Sequence, residues 1–122
     1  MKQRHILVVE DNPVASEQFA AVLAGQGYDV VAVRDGQAAL EFLAANPPPD
    51  LILLDLVMPV LDGFGLAAEM GARGLRPRVG LVVMTARGSA LEDAHRTEAD
   101  EYLTKPFEMR ALLRLVDRLV GR

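Results

Sequence analysis

The 122 residues, with 51% hydrophobic and 25% charged side chains, set the expectation of a single globular domain over residues 1–122 that buries roughly two-thirds of its unfolded surface. A net charge of -4 argues against a direct nucleic-acid footprint, no stretch approaches the roughly 20 apolar residues of a membrane span, and zero cysteines remove disulfides and thiolate metal sites. The basic start leads into a short apolar stretch broken by Glu10 and Asp11, too short for a secretion signal.

The first element is a strand, His5–Val9, rich in Ile, Leu and Val. Asn12 before Pro13 reads as an N-cap followed by proline in the first helical position, and Ala15, Phe19, Val22 and Leu23 mark one apolar face of a helix that Gly25 and Gly27 stop. A second strand covers Asp29–Val33. Asp35 can cap a second helix with Ala38, Ala39, Phe42 and Leu43 on its apolar face. After the breaker Asn46-Pro47-Pro48-Pro49 comes an apolar run at 51–54 without polar alternation, the pattern of a strand covered on both faces, and Asp55 stands at its carboxyl end.

Beyond Asp62-Gly63 a third helix runs to about Gly71. Arg73, Arg76 and Arg78 then read as a solvated basic loop. A fourth strand is expected at 79–84, ending in Thr85. Ser89 can cap a short fourth helix, Glu101–Thr104 forms a fifth strand, and 107–120 forms a fifth helix through Met109, Leu112, Leu113, Val116 and Leu119. Strands alternating with helices imply right-handed crossovers and a parallel sheet with helices on both faces, a three-layer α/β/α sandwich.

In such sheets ligands gather at the carboxyl ends of the strands. That edge collects Glu10 and Asp11 after the first strand, Asp55 at the third, Thr85 at the fourth and Lys105-Pro106 after the fifth. Taken singly each has an ordinary explanation: the acidic pair could favour the first helix's positive end, and Lys105 could be a surface charge. Together they make a site. Three clustered carboxylates repel unless a cation joins them, and hard oxygen donors suit Mg²⁺ or Mn²⁺. Lys105 and Thr85 add what an anion needs, so the set suits phosphoryl transfer, where positioning and charge neutralisation carry the catalysis.

Ile6-Leu7-Val8-Val9-Glu10-Asp11-Asn12, Leu53-Leu54-Asp55-Leu56-Val57-Met58-Pro59, Asp62-Gly63, Met84-Thr85-Ala86 and Tyr102-Leu103-Thr104-Lys105-Pro106-Phe107 resemble the receiver domain of two-component response regulators, over essentially the whole chain. The resemblance implies a flavodoxin-like five-stranded sheet of order 2-1-3-4-5. It makes Asp55 the phosphoacceptor from a phosphohistidine of a histidine kinase or phosphotransfer protein. It assigns Glu10, Asp11, Asp55 and the Val57 carbonyl to the Mg²⁺, and Thr85, the Ala86 N–H and Lys105 to the phosphoryl oxygens. Thr85 and Tyr102 become the switch pair, and Pro106 follows a cis peptide. It further implies a cytoplasmic signalling domain that is not an enzyme, acts on an output domain or downstream protein, and is monomeric or dimerises on phosphorylation through the fourth helix, fifth strand and fifth helix.

Some positions depart from the family pattern. Glu10-Asp11-Asn12 is familiar in receivers of hybrid kinases, which keeps that origin open. Glu98 stands where glycine is expected, so a different turn is anticipated there, and the Thr85 to Lys105 interval is about two residues short, which predicts a shortened or loosely held fourth helix. Val57 and Arg87, flanking the path of attacking water in this family, offer no activating base, which predicts slow self-dephosphorylation. His5 and His95 lack partners at metal-ligand spacing and read as a strand-end and a helix-surface residue.

Competing classes fit less well. An aspartate-nucleophile hydrolase would want a general acid where Val57 stands. A flavin or nucleotide binder would not place Glu10-Asp11-Asn12-Pro13 in its phosphate loop, which lacks glycine and carries negative charge. A pseudo-receiver that only binds partners would have no need of the intact acidic set.

Overall fold

The computed structural model describes residues 3–56, 63–76, 78–86 and 88–120. Strands β1 (His5–Val9), β2 (Asp29–Val33), β3 (Leu51–Asp55), β4 (Gly80–Thr85) and β5 (Glu101–Thr104) alternate with helices α1 (Pro13–Gly25), α2 (Gly36–Ala45), α3 (Gly63–Ala72), α4 (Ala90–Thr97) and α5 (Met109–Val120). The strands are all parallel in the order β2-β1-β3-β4-β5. That is the order expected from the resemblance.

Period-two alternation splits the central strands between two cores. Leu7, Val9, Ile52, Leu54, Leu81 and Val83 meet Ala39 of α2 and Leu66, Ala67 and Met70 of α3 on one face. On the other, Ile6, Val8, Leu51, Leu53, Val82 and Met84 pack with Phe19 and Leu23 of α1 and Leu112, Val116 and Val120 of α5. Every residue of β3 is buried, as its unbroken apolar run predicts. Gly80 begins β4 because a Cβ there would lie 3.2 Å from the Leu51 side chain and 3.4 Å from the Asp50 carbonyl oxygen.

Side chains next to the helix starts cap α1 and α2 but not α4. Asn12 Oδ1 accepts from Ala15 N–H at 3.0 Å, and Asp35 Oδ1 accepts from Ala38 N–H at 2.8 Å, both as anticipated. Ser89 occupies the N-cap of α4 without making a side-chain cap bond. Its backbone, at φ -122 and ψ 4, lies outside the extended region usual for a capping residue, and its hydroxyl donates to Asp93 Oδ2 at 2.9 Å. β4 takes in Thr85 and begins one residue later than expected, and α5 starts at Met109, two residues after Phe107.

Two expectations about the surface are corrected. Glu98 makes the turn that glycine would make, at φ 55, and its N–H bonds back to the helix at His95 O, 3.3 Å away. The cause lies in Arg76, which folds inward out of the supposed solvated cluster. Its guanidinium donates to the Glu98 carbonyl at 2.6 Å, to Asp100 Oδ2 at 2.9 Å and to the Val79 carbonyl. Asp100 Oδ2 also accepts the Leu81 N–H at 2.8 Å. The short α4 is therefore tied at its C-terminal end, not loose there.

Candidate functional site

β1, β3 and β4 bring Glu10, Asp55 and Thr85 to one edge of the sheet, and the residue following β5 adds Lys105. Their backbones are held by hydrogen bonds that continue the ladder past the strands. Glu10 N–H donates to Val33 O at 3.0 Å, Leu56 N–H to Met84 O at 2.9 Å and Lys105 N–H to Thr85 O at 2.8 Å. The Lys105-Pro106 peptide is cis, as expected. Phe107 then stacks on Phe19 of α1, ring centroids 5.9 Å apart and 13° from parallel, so the segment carrying Lys105 is fastened to the neighbouring helix.

Glu10 and Asp55 are each only 1% exposed, whereas Asp11 faces solvent. Lys105 Nζ lies 3.2 Å from Glu10 Oε1 and 3.1 Å from Asp55 Oδ2, bridging the two buried carboxylates. Burial is the main cause that pushes the Glu10 carboxyl up to about 7; its hydrogen bond with Asp55 and that group's charge add to it. The Asn12 N–H, which donates to Glu10 Oε2 at 3.1 Å, and Lys105 oppose the shift. Burial works to lower the Lys105 pKa, but its bonds and charges toward Asp55 and Glu10 outweigh that and raise it.

Oxygens of Glu10, Asp11 and Asp55 all lie within 4.8 Å of one another. Ligand oxygens around an octahedral ion with bonds of about 2.1 Å stand roughly 3 to 4.2 Å apart, so small side-chain adjustments bring the set to Mg²⁺ or Mn²⁺ geometry. The charge also fits, because three carboxylates face one ammonium. Thr85 Oγ1 is buried and has no hydrogen-bond partner among the described residues, at the same edge as Asp55. A buried hydroxyl left so is costly, and an incoming acceptor oxygen would satisfy it. Ala86 follows on the exposed side.

Tyr102 is 40% exposed on β5, bordering a cavity of about 350 Å³ with Leu91, Ala94, His95 and Ala99. Val57, Arg87 and Asp62 lie outside the described residues. His5 Nδ1 sits 3.0 Å from Asp29 Oδ2 at the opposite edge of the sheet, and His95 is exposed on α4. Arg76 and the Ser89–Asp93 contact escaped the sequence reading; buried Leu75 and Val79 on either side of Arg76 were the available hint that its segment packs inward.

A strand-edge acidic cluster, a bridging lysine and a threonine hydroxyl without a partner among the described residues thus stand together at the carboxyl edge of a doubly wound parallel sheet. The response regulator receiver domain family model matches residues 6–117, and the chain belongs to that family. It is 37% identical over 122 residues to the TorCAD operon transcriptional regulatory protein TorR of Escherichia coli O157:H7, covering 97% of this chain and 50% of that protein. It is 36% identical over 119 residues to the response regulator MprA of Mycobacterium tuberculosis, covering 96% and 50%. The chain thus spans about half the length of these curated relatives.

Among solved structures, the receiver domain of the sensor histidine kinase PA1611 from Pseudomonas aeruginosa PAO1, with a magnesium ion coordinated in its active site cleft, is 35% identical. It superposes with a TM-score of 0.85, covering 99% of this chain and 100% of that one. The receiver domain of the Francisella response regulator 1452 gives 0.87 at 26% identity, covering 98% of each. Among the described residues no helix is long and apolar enough to cross a membrane.

Proposed function

We propose that this chain, as one receiver domain over residues 1–122, accepts a phosphoryl group on Asp55 from a phosphohistidine of a histidine kinase or phosphotransfer protein, and that the modified domain acts on an output domain or downstream protein. The observation that carries this reading is the conjunction of buried Asp55, 3.1 Å from Lys105, with a Thr85 hydroxyl at the same edge that has no partner among the described residues. An Asp55 carboxylate oxygen attacks phosphorus, the P–N bond breaks as the P–O bond forms, and the imidazole nitrogen keeps the electron pair. Lys105 pairs with one phosphoryl oxygen. Thr85 Oγ1 and the Ala86 N–H donate to another, which gives the buried hydroxyl its missing partner.

Glu10, Asp11 and Asp55, with the Val57 carbonyl, are the residues proposed to hold Mg²⁺. When bound, the ion neutralises negative charge on the transferred group's oxygens. The apolar side chain at Val57 supports slow loss of the phosphoryl group. Thr85 and Tyr102 are the proposed switch residues, and a phosphorylation-dependent homodimer through α4, β5 and α5 is the proposed assembly, read by sedimentation with and without beryllofluoride.

The primary test is incubation with acetyl phosphate and Mg²⁺ followed by intact mass. One phosphoryl adduct is expected on the wild type and none on Asp55→Asn. An unmodified wild type, or an undiminished adduct on the variant, overturns the assignment. Chelation of Mg²⁺ should abolish adduct formation.

A further inference from the structure

Lys105 reaches the acidic cluster from a short connection between β5 and α5. Its N–H donates to Thr85 O at 2.8 Å, and its side chain extends to Glu10 Oε1 at 3.2 Å and Asp55 Oδ2 at 3.1 Å. Pro106, the next residue, has no N–H to give. Two residues on, the Glu108 carbonyl opens α5 by accepting from Ala111 N–H at 3.0 Å and Leu112 N–H at 3.3 Å. Between Pro106 and Glu108, the Phe107 ring packs into the core on the α1 and α5 face of the sheet.

Its stacking partner belongs to the helix that also supports the acidic side. Phe19 is 5% exposed on α1, and its ring centroid lies 5.9 Å from that of Phe107 with the planes 13° from parallel. The same helix is capped by Asn12, whose Oδ1 accepts from Ala15 N–H at 3.0 Å and whose own N–H donates to Glu10 Oε2 at 3.1 Å. Ala15 and Phe19 stand one helical turn apart. Helix α1 therefore meets the site twice, once behind Glu10 and once, through the two rings, behind Lys105. Stacked rings prefer a defined separation, so the pair sets a distance as well as burying apolar area.

We propose that Phe19 and Phe107 are positioning residues that hold the backbone of Lys105 where its ammonium meets the oxygen of a group being transferred to Asp55. This rests on the phosphoacceptor reading of Asp55. Glu10 and Asp55 attract a lysine ammonium over a range of backbone positions, whereas the oxygen of a transferring group must be met at one place, so slack behind Lys105 is felt first in the transition state. A divalent ion responds in the opposite sense. An ammonium that leaves the carboxylates relieves a like-charge repulsion on the incoming ion. Loss of the stack therefore slows phosphoryl transfer and leaves Mg²⁺ binding as tight as before or tighter, whereas a general loosening of the fold weakens both.

The test makes two measurements on the whole chain: Mg²⁺ affinity from backbone amide shifts in an NMR titration, and the second-order rate constant for phosphorylation by acetyl phosphate from intact mass. Acetyl phosphate has no protein surface, so lost docking of a donor protein cannot lower that rate. In Phe107→Leu the rate should fall about tenfold while Mg²⁺ affinity is unchanged or raised. Phe107→Tyr keeps the ring and should restore the rate. Phe19→Leu should give the same loss, and the double variant should lose no more than either alone, because the two rings act as a unit. Phe107 is half-buried, so its variants carry the test should Phe19→Leu fail to fold. A wild-type rate in Phe107→Leu, or a fall in rate matched by a fall in Mg²⁺ affinity, would overturn the positioning role alone. A wild type that takes up no phosphoryl group would remove the phosphoacceptor reading and this one with it.

Discussion

The two ends of the same sheet carry charges in opposite ways. At the amino ends of the strands His5 pairs with Asp29 at 3.0 Å and Arg4 with Asp50 at 3.8 Å, with side chains from about a third to a half exposed. The Asp50 carboxylate also accepts the His5 N–H at 2.7 Å. At the carboxyl ends two carboxylates are 1% exposed and share a single lysine, and a threonine hydroxyl has no partner among the described residues. Fold alone does not distinguish these edges, because both finish the same five parallel strands. One edge settles its charges in water and in exposed pairs, where a contact contributes little. The other buries charge in excess of what the protein neutralises, an arrangement that costs stability unless a cation and an anion arrive.

Removing the bridging cation should break the contrast most visibly. Lys105→Met leaves Glu10 and Asp55 facing each other, and in chelator-treated protein it should lower unfolding stability by about 2 kcal/mol. That is below the usual cost of orphaning a fully buried charge, because Glu10 can take up a proton; Mg²⁺ should recover most of the loss, read by urea denaturation. In metal-free wild type the pH dependence follows from Glu10, whose carboxyl is held at about 7 in the fold against 4.5 when free. Between those values the unfolded chain releases its proton before the folded one does, so stability is greatest below pH 4.5, falls as pH rises through 7 and then levels. Lys105, raised above 10.5, stays protonated throughout that window and adds no slope. Thermal melts of wild type and Glu10→Gln across this range should show the slope in the first and its loss in the second.

Smaller effects should come from outside the acidic edge. Glu98→Gly relieves a left-handed turn that L side chains adopt at a cost, offset in part by glycine's greater freedom when unfolded, so a gain of about 1 kcal/mol is expected in denaturant melts. Asp29→Asn at the amino edge removes half of an exposed pair and should change stability by no more than about 0.5 kcal/mol. A loss there as large as that of Lys105→Met would erase the distinction between the two edges.

The sheet and both of its faces were legible because Leu, Ile and Val recur at the right period, and β3 announced its full burial through an unbroken run. The carboxyl-edge set was legible for a different reason: in a parallel sheet, strand-end residues converge whatever the loops do. Caps set by an adjacent side chain, Asn12 and Asp35, could be read locally. What escaped were contacts decided by distant chain segments. Arg76 meets Glu98 and Asp100 more than 20 positions away, and the apolar Leu75 and Val79 mark the segment as packed without marking which arginine turns inward. Backbone preference alone disfavours Glu98 in a left-handed turn, yet it stands there at φ 55 with the Arg76 guanidinium bound to its carbonyl. The strand order and the cis peptide before Pro106 came from resemblance and were not derivable from periodicity.

The ladder bonds that run past the strands, Leu56 N–H to Met84 O at 2.9 Å and Lys105 N–H to Thr85 O at 2.8 Å, have a consequence for affinity. Fixing a backbone residue costs about 1–2 kcal/mol of conformational entropy. Behind Asp55 and Lys105 that cost is met during folding, so a phosphoryl group or its beryllofluoride mimic should bind with little ordering of these two supports left to do. Tightness of the mimic is then governed by desolvation and charge, and its binding entropy should be dominated by released water.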